Sequence, residues 1–497
     1  MIKKVTLGTL LLALLVLAII VLRTFMLTPD SLPLIEPENL EVDSQEAVGR
    51  LSQAIQFKTI SQVLPAKEGK PAKTLVDENV FTSFHQYLLQ AYPKLHQHLD
   101  RQILQKFSML YTWPGTDTSK APIVLMAHQD VVPFAMTNLD VWKFPPFSGA
   151  IEEGYIWGRG TLDDKSSMMA IMEAVENLVK TGWQPSRTIY LAFGHDEEVG
   201  GTGAAAIAAY FEKQGIKPGM VLDEGGFVMR SVIPGVSQPV GLIGIAEKGY
   251  LSVKLKALGQ GGHSSMPPPH TAAGIIAAAV ARLEQNPPAM RLDGATRELF
   301  DAVSPYMSFG KRAVFANLWL FEPVVLSILE SKESSNATVR TTQAVTMLNS
   351  GQKDNVLPSS ASAVINYRLL PEDSVEVVME HIRQIVNDDR ISIEAYPYAS
   401  EASRVSSTDN PLFRALVGVS LGVFRDQEVV MAPYLTIGAT DARHYQRVSD
   451  NQYRFLPIPL TGEDLPRIHG PNERIAVDDY LRMIQFYVAF IRQSGRE

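Results

Sequence analysis

Five short polar clusters interrupt an otherwise apolar pattern, and each carries residues able to bind a cation or move a proton. The first is His128-Gln129-Asp130. On an extended segment, the imidazole of such a pair can meet a metal while the aspartate holds its other nitrogen. The second is Gly158-Arg159-Gly160-Thr161-Leu162-Asp163-Asp164-Lys165. It reads either as an aspartate cap on a helix or as a carboxylate shared by two cations. The third is Asp196-Glu197-Glu198, the fourth Asp223-Glu224, and the fifth runs from Arg467 through His469 to Glu473. Alone, Asp196-Glu197-Glu198 reads as a solvated acidic turn before a helix.

Taken together, the clusters supply a ligand set: His128, Asp163, Glu198, Asp223 and His469. Two imidazoles and three carboxylates suit two divalent ions, zinc first, with cobalt or manganese as alternatives. The chain has no cysteine, so a transition-metal site must use such ligands. Glu197 is then the spare carboxylate. A metal-held water has its pKa lowered towards about 7, and Glu197 could take its proton and pass it to a leaving amine.

The elements around these clusters read as βα units. Ile123-Val124-Leu125-Met126-Ala127 is a buried strand that ends at His128, and Thr188 to Phe193 is a second that ends at the acid pair. Met220-Val221-Leu222 ends at Asp223. Met168, Met169, Ile171, Met172, Val175 and Leu178 fall at helical spacing over 165–179. The predicted fold class is α/β, a mostly parallel sheet with helices on both faces and the polar clusters at the strands' carboxyl ends. From 248 to about 399 the pattern changes to half-exposed strands with two helices. That predicts an inserted α+β domain, carrying its own insertion over 292–341. The catalytic unit would therefore comprise 29–247 and 400–497, with a polar loop over 67–73.

Residues 1–28 read as a separate element. Lys3 and Lys4 precede an uncharged run from Val5 to Leu22, the length of about 18 residues expected of a spanning helix. No small-x-small cleavage site follows, so the reading is an uncleaved signal anchor, a single-pass membrane helix with the rest on the non-cytoplasmic side. A cleaved signal peptide is the rival. The composition of the 497-residue chain is globular, with 46% hydrophobic and 20% charged residues, and the net charge of −8 argues against nucleic acid as a partner.

The motifs His128-x-Asp130, Gly158-Arg159-Gly160-x-x-Asp163-Asp164-Lys165, Asp196-Glu197-Glu198 and the late His469 resemble those of the di-zinc aminoacylase and carboxypeptidase S family of metallopeptidases, over about 45–490. The resemblance implies two Zn2+. One would be held by His128, Asp163 and Asp223, the other by Asp163, Glu198 and His469, with Asp163 bridging through a cis peptide to Asp164. It implies Glu197 as general base and Asp130 as support for His128. It makes 248–399 a lid or dimerisation domain, through which a homodimer would form. There His263 would stabilise the oxyanion, and Asn355 and Arg368 would hold the substrate's carbonyl and carboxylate. The implied substrates are N-acyl amino acids or short peptides. The family's fatty-acyl branch adds synthesis by reversal, and a non-catalytic metal-stabilised binding protein is the remote alternative.

Overall fold

A computed structural model describes residues 2–29, 33–38, 42–64, 73–134 and 136–496; the polar loop expected over 67–73 lies almost wholly outside them. The core is a ten-stranded sheet. Its middle strands are Ile189–Gly194, Ile123–His128, Met220–Asp223 and Gln452–Arg454, in that spatial order. The strand Ile123–His128 is buried at every position. That is the burial expected of an unbroken apolar run covered on both faces.

The sheet is mixed, which corrects the expectation of a largely parallel one. Ile123–His128 pairs in parallel with both neighbours, and Gln452–Arg454 is parallel to Met220–Asp223. Ser108–Trp113 instead runs antiparallel to Ile189–Gly194 and to Asp100–Leu104. The tight turn between Asp100–Leu104 and Ser108–Trp113 makes those two strands a hairpin, with Gln105 and Lys106 both at positive φ, 45° and 74°, the sense that matches strand twist in hairpins.

Helix Lys165–Lys180 is buried over nearly its whole length and joins the main apolar core through Met168, Met169, Ile171 and Met172. The C-terminal helix Val477–Arg496 packs beside it. These methionines are packing residues, and they fix the start of the helix where Asp163 and Asp164 sit.

A second, four-stranded antiparallel sheet has the order Thr342–Ser350, Ser360–Leu369, Gly249–Leu258, Ile391–Ser400. Helices Ala272–Gln285 and Val375–Val386 cover one face and form its separate core with Leu251, Val253, Ile365 and Ile382. The segment 292–341 is helical. Its first helix, Gly294–Val303, leaves this unit and packs Ala295, Leu299 and Val303 into the core of the main sheet.

The helix Ile2–Met26 contains the apolar span Gly8–Met26, of which 6% is buried.

Candidate metal centre

The five clusters converge at the carboxyl ends of the middle strands. Asp163 stands between two histidines. Its Oδ1 lies 2.8 Å from His128 Nε2, and its Oδ2 lies 2.9 Å from His469 Nε2. His469 Nε2 is also 3.2 Å from Glu198 Oε1. Among the described residues, two groups of potential ligand atoms form, His128 with Asp163 and Glu224, and Asp163 with Glu198 and His469. Asp163 belongs to both. The Asp163–Asp164 peptide is cis.

Asp223, expected as a ligand, stands differently. It belongs to neither group, and its Oδ2 accepts a hydrogen bond from Ala442 N at 2.7 Å. The next residue, Glu224, reaches the site, with Oε1 3.8 Å from His128 Nε2. Successive side chains on an extended segment point to opposite sides, so only one of the two carboxylates can face the histidine.

Asp130 is fully buried and ties the site together. His128 Nδ1 lies 2.9 Å from the Asp130 carbonyl oxygen and 3.4 Å from its carboxylate. The same carboxylate accepts from Glu197 N at 3.1 Å, from Glu198 N at 3.2 Å and from Ser61 Oγ. One side chain thus orients an imidazole and the turn that carries both glutamates.

Glu473 was legible only as a neighbour of His469. It is fully buried, and its Oε2 meets Arg159 Nη1 at 2.6 Å. Its Oε1 accepts from Gly160 N at 2.9 Å and Leu162 N at 2.8 Å. Arg159 also donates to the His469 carbonyl at 2.9 Å. His469 has φ of 60°, a left-handed conformation that a non-glycine residue holds only when its surroundings fix it. The Arg159–Glu473 pair fixes the Asp163 loop and the His469 turn together.

Glu197 is in neither ligand group. Its Oε1 faces Arg443 Nη1 at 3.9 Å. Burial, then the nearby Asp441, push its carboxyl well above the ordinary range. Among the described residues, neither oxygen of the buried Asp441 has a hydrogen-bond partner. A Cβ at Gly201, which has φ of 68°, would lie 2.0 Å from Asp441 Oδ1, so this turn requires glycine. Arg443 and Asp441 follow Gly438-Ala439-Thr440, and nothing local in the sequence marks them as neighbours of Glu197.

The donor chemistry fits divalent cations. Burial pushes Glu224 and Glu198 upward, with Asp163 adding to both. Burial would raise Asp163 too, but hydrogen bonds from His128 and His469 hold it well below the carboxylate range. Hydrogen bonds to Asp163 and Glu198 push His469 up to about 10. Crowded buried carboxylates around two imidazoles need more positive charge than the side chains supply, and cations shared through Asp163 would provide it.

The residues expected in the inserted unit stand apart from this centre. Gly262–His263 pairs with Val356–Leu357, which places His263 beside Asn355 on an exposed two-stranded ladder formed by distant parts of the chain, where Ser264 N donates to Asn355 O at 3.3 Å. Arg368 lies over the Tyr250 ring at 4.7 Å. Among the described residues no hydrogen bond or ion pair joins these three side chains to the centre.

An α/β sheet with two carboxylate–imidazole groups at its carboxyl edge defines a metallohydrolase. The chain belongs to peptidase family M20/M25/M40, whose family model matches residues 124–493. It is 41% identical over 490 residues to the probable carboxypeptidase S-like 2 of Dictyostelium discoideum, covering 97% of this chain and 92% of that one. It is 38% identical over 465 residues to the N-fatty-acyl-amino acid synthase/hydrolase of Xenopus tropicalis, covering 93% and 88%. Among solved structures, an M20 family metallo-carboxypeptidase from Sulfolobus solfataricus shares the fold, with a TM-score of 0.62 at 18% identity over 91% of this chain and 100% of that one.

Proposed function

We propose that the protein hydrolyses the amide bond between an acyl or peptidyl group and a C-terminal amino acid, with two divalent ions, zinc by preference, sharing Asp163. The observation that carries this reading is the separation of two adjacent glutamates. Glu198 stands in a ligand group with His469, while Glu197 beside it stands in neither. His128, Asp163 and Glu224 would hold one ion, and Asp163, Glu198 and His469 the other. When bound, the ions supply an activated water and a polarised substrate carbonyl.

The side chains do the rest. Glu197 takes the proton of the attacking water and delivers it to the departing amine. Its raised proton affinity suits both halves of that task. Asp130 holds the Glu197 turn and His128 in register. Arg443 faces Glu197 and steadies its charged form. From the lid, His263 and Asn355 meet the acyl oxygen and Arg368 the carboxylate, whose two oxygens match a guanidinium fork. The same site catalyses condensation when acid and amine are in excess, since a catalyst sets no direction.

N-acyl amino acids are the favoured substrates, supported by the similarity to the fatty-acyl enzymes. A dipeptidase reading is supported by the carboxypeptidase S-like relative at 41% identity. The exposed apolar span Gly8–Met26 supports a membrane anchor with the catalytic unit on the non-cytoplasmic side. The edge strand Thr342–Ser350, with Met347 and Leu348 exposed, supports pairing of two chains through the lid. A mass-spectrometric screen of the purified full chain against N-acyl amino acids and dipeptides tests the assignment. Turnover of dipeptides alone would exclude the N-acyl reading, and turnover of neither would exclude both.

A further inference from the structure

The helix Leu318–Glu330 has an unusual surface. It buries Leu318 and Val325 in a small cluster with Leu292 and Val339. Its other side exposes Trp319, Leu320, Pro323, Val324, Ser327 and Ile328. These positions repeat at helical spacing and form one largely apolar stripe, which ends at Glu330, paired with Arg340. Trp319 and Val324 are 55% exposed and Ile328 is 64% exposed. A contiguous apolar patch of this kind marks a binding surface more often than ordinary solvent-facing protein.

The location of the stripe identifies what covers it. The helix is joined through Asn317 to helix Phe309–Ala316, and the pair is bent by 111°. This elbow grips the end of the apolar span Gly8–Met26. Asn317 Nδ2 donates to Ile20 O at 3.3 Å, Arg23 Nε donates to Ala316 O at 2.9 Å, and the Phe25 and Phe309 rings are 5.6 Å apart. From Ile20 to Met26 a helix rises about 9 Å. The elbow therefore meets the span within that distance of its end, which matches the roughly 5–10 Å depth at which interfacial helices lie.

We infer that the Trp319–Ile328 stripe is a second membrane contact, seated in the bilayer surface beside the helix that crosses it. This rests on the anchor reading above. The partner is a phospholipid bilayer. The stripe places a tryptophan at its start, the residue favoured at the lipid–water boundary. The contact would hold segment 292–341, and the lid from which it projects, against the surface where lipid-like substrates reside.

The test uses the full chain reconstituted in phosphatidylcholine vesicles containing brominated acyl chains, which quench nearby tryptophan. Trp319 is one of five tryptophans, and Trp113 and Trp157 are buried in the catalytic unit. The expected result is quenching that disappears in Trp319→Phe, a conservative change at an exposed position. In parallel, Leu320→Asp/Ile328→Asp should slow hydrolysis of a long-chain N-acyl amino acid carried in the vesicles while leaving a short, water-soluble one unchanged. Protein that floats with the vesicles but shows no Trp319-dependent quenching overturns this inference and spares the anchor. Protein that does not float overturns both. Disulfide-linked dimers of Trp319→Cys in vesicles, without quenching in the parent, would assign the stripe to a second copy and also overturn it.

Discussion

The Asp130 carboxylate accepts the backbone N–H of Glu197 at 3.1 Å. This bond joins the strand end that carries His128 to the turn that carries the proposed base. Asp130→Ala should therefore lower kcat by about 10–100-fold, the usual cost of removing support behind a metal-ligating histidine. Asp130→Asn keeps one acceptor oxygen and should cost less. Steady-state kinetics with metal analysis of both variants checks this. An Asp130→Ala enzyme with unaltered kcat would remove Asp130 from the account.

Metal loading should release protons. His469 is held up to about 10 by Asp163 and Glu198, then opposed by burial. It is therefore protonated at pH 7 in the metal-free protein, and a cation must displace that proton. Apparent affinity should rise with pH below about 10. Calorimetric titration of chelator-treated protein with Zn2+, in buffers of different ionisation enthalpy, should show net proton release at pH 7. No release, or uptake, would contradict the contacts described for His469.

The Arg159–Glu473 pair should behave as a buried unit. Breaking one side strands a charge, at a cost of about 3–5 kcal/mol. Glu473→Gln and Arg159→Met should each lower the unfolding temperature clearly, and the double variant should fall by less than the sum of the two. Thermal unfolding of the three variants reads this coupling directly. Additive losses would show that the two residues act separately.

Asp441 raises the proton affinity of Glu197. Asp441→Asn removes that charge, so Glu197 should stay ionised to lower pH. The acid limb of the pH–rate profile should shift towards acid. A shift towards alkali, or none, would contradict the assignment of Glu197 as the titrating base.

Much of the site was legible because its residues follow strands whose apolar runs are unmistakable. His128 and Glu198 sit where a βα pattern places polar groups at a sheet edge, and Asp163 sits at a helix start, whereas His469 lies in a turn that only the motif marked. Asp223 stands outside both groups, and the choice between it and Glu224 depends on which way a strand's last residue faces. The bond to Ala442 decides that, and it comes from a distant part of the chain. Glu473 was read without a role because its partner Arg159 lies 314 positions away. The sheet's mixed order escaped for a related reason. Strand pairing is a property of neighbours that the sequence does not name, and antiparallel pairs occur on both sides of the parallel middle strands. Helix Gly294–Val303 was assigned to the inserted unit because it lies within it in sequence, whereas Ala295, Leu299 and Val303 find apolar partners on the main sheet.

The central claim is that neighbouring glutamates divide the work, Glu198 holding metal and Glu197 moving protons. Metal content and turnover measured together on Glu197→Gln and Glu198→Ala test it most directly. Glu197→Gln should retain the wild-type metal content and lose about 10²–10⁴-fold in turnover, the share a general base supplies. Glu198→Ala should lose metal. A Glu197→Gln enzyme that sheds metal or turns over at the wild-type rate would contradict the account.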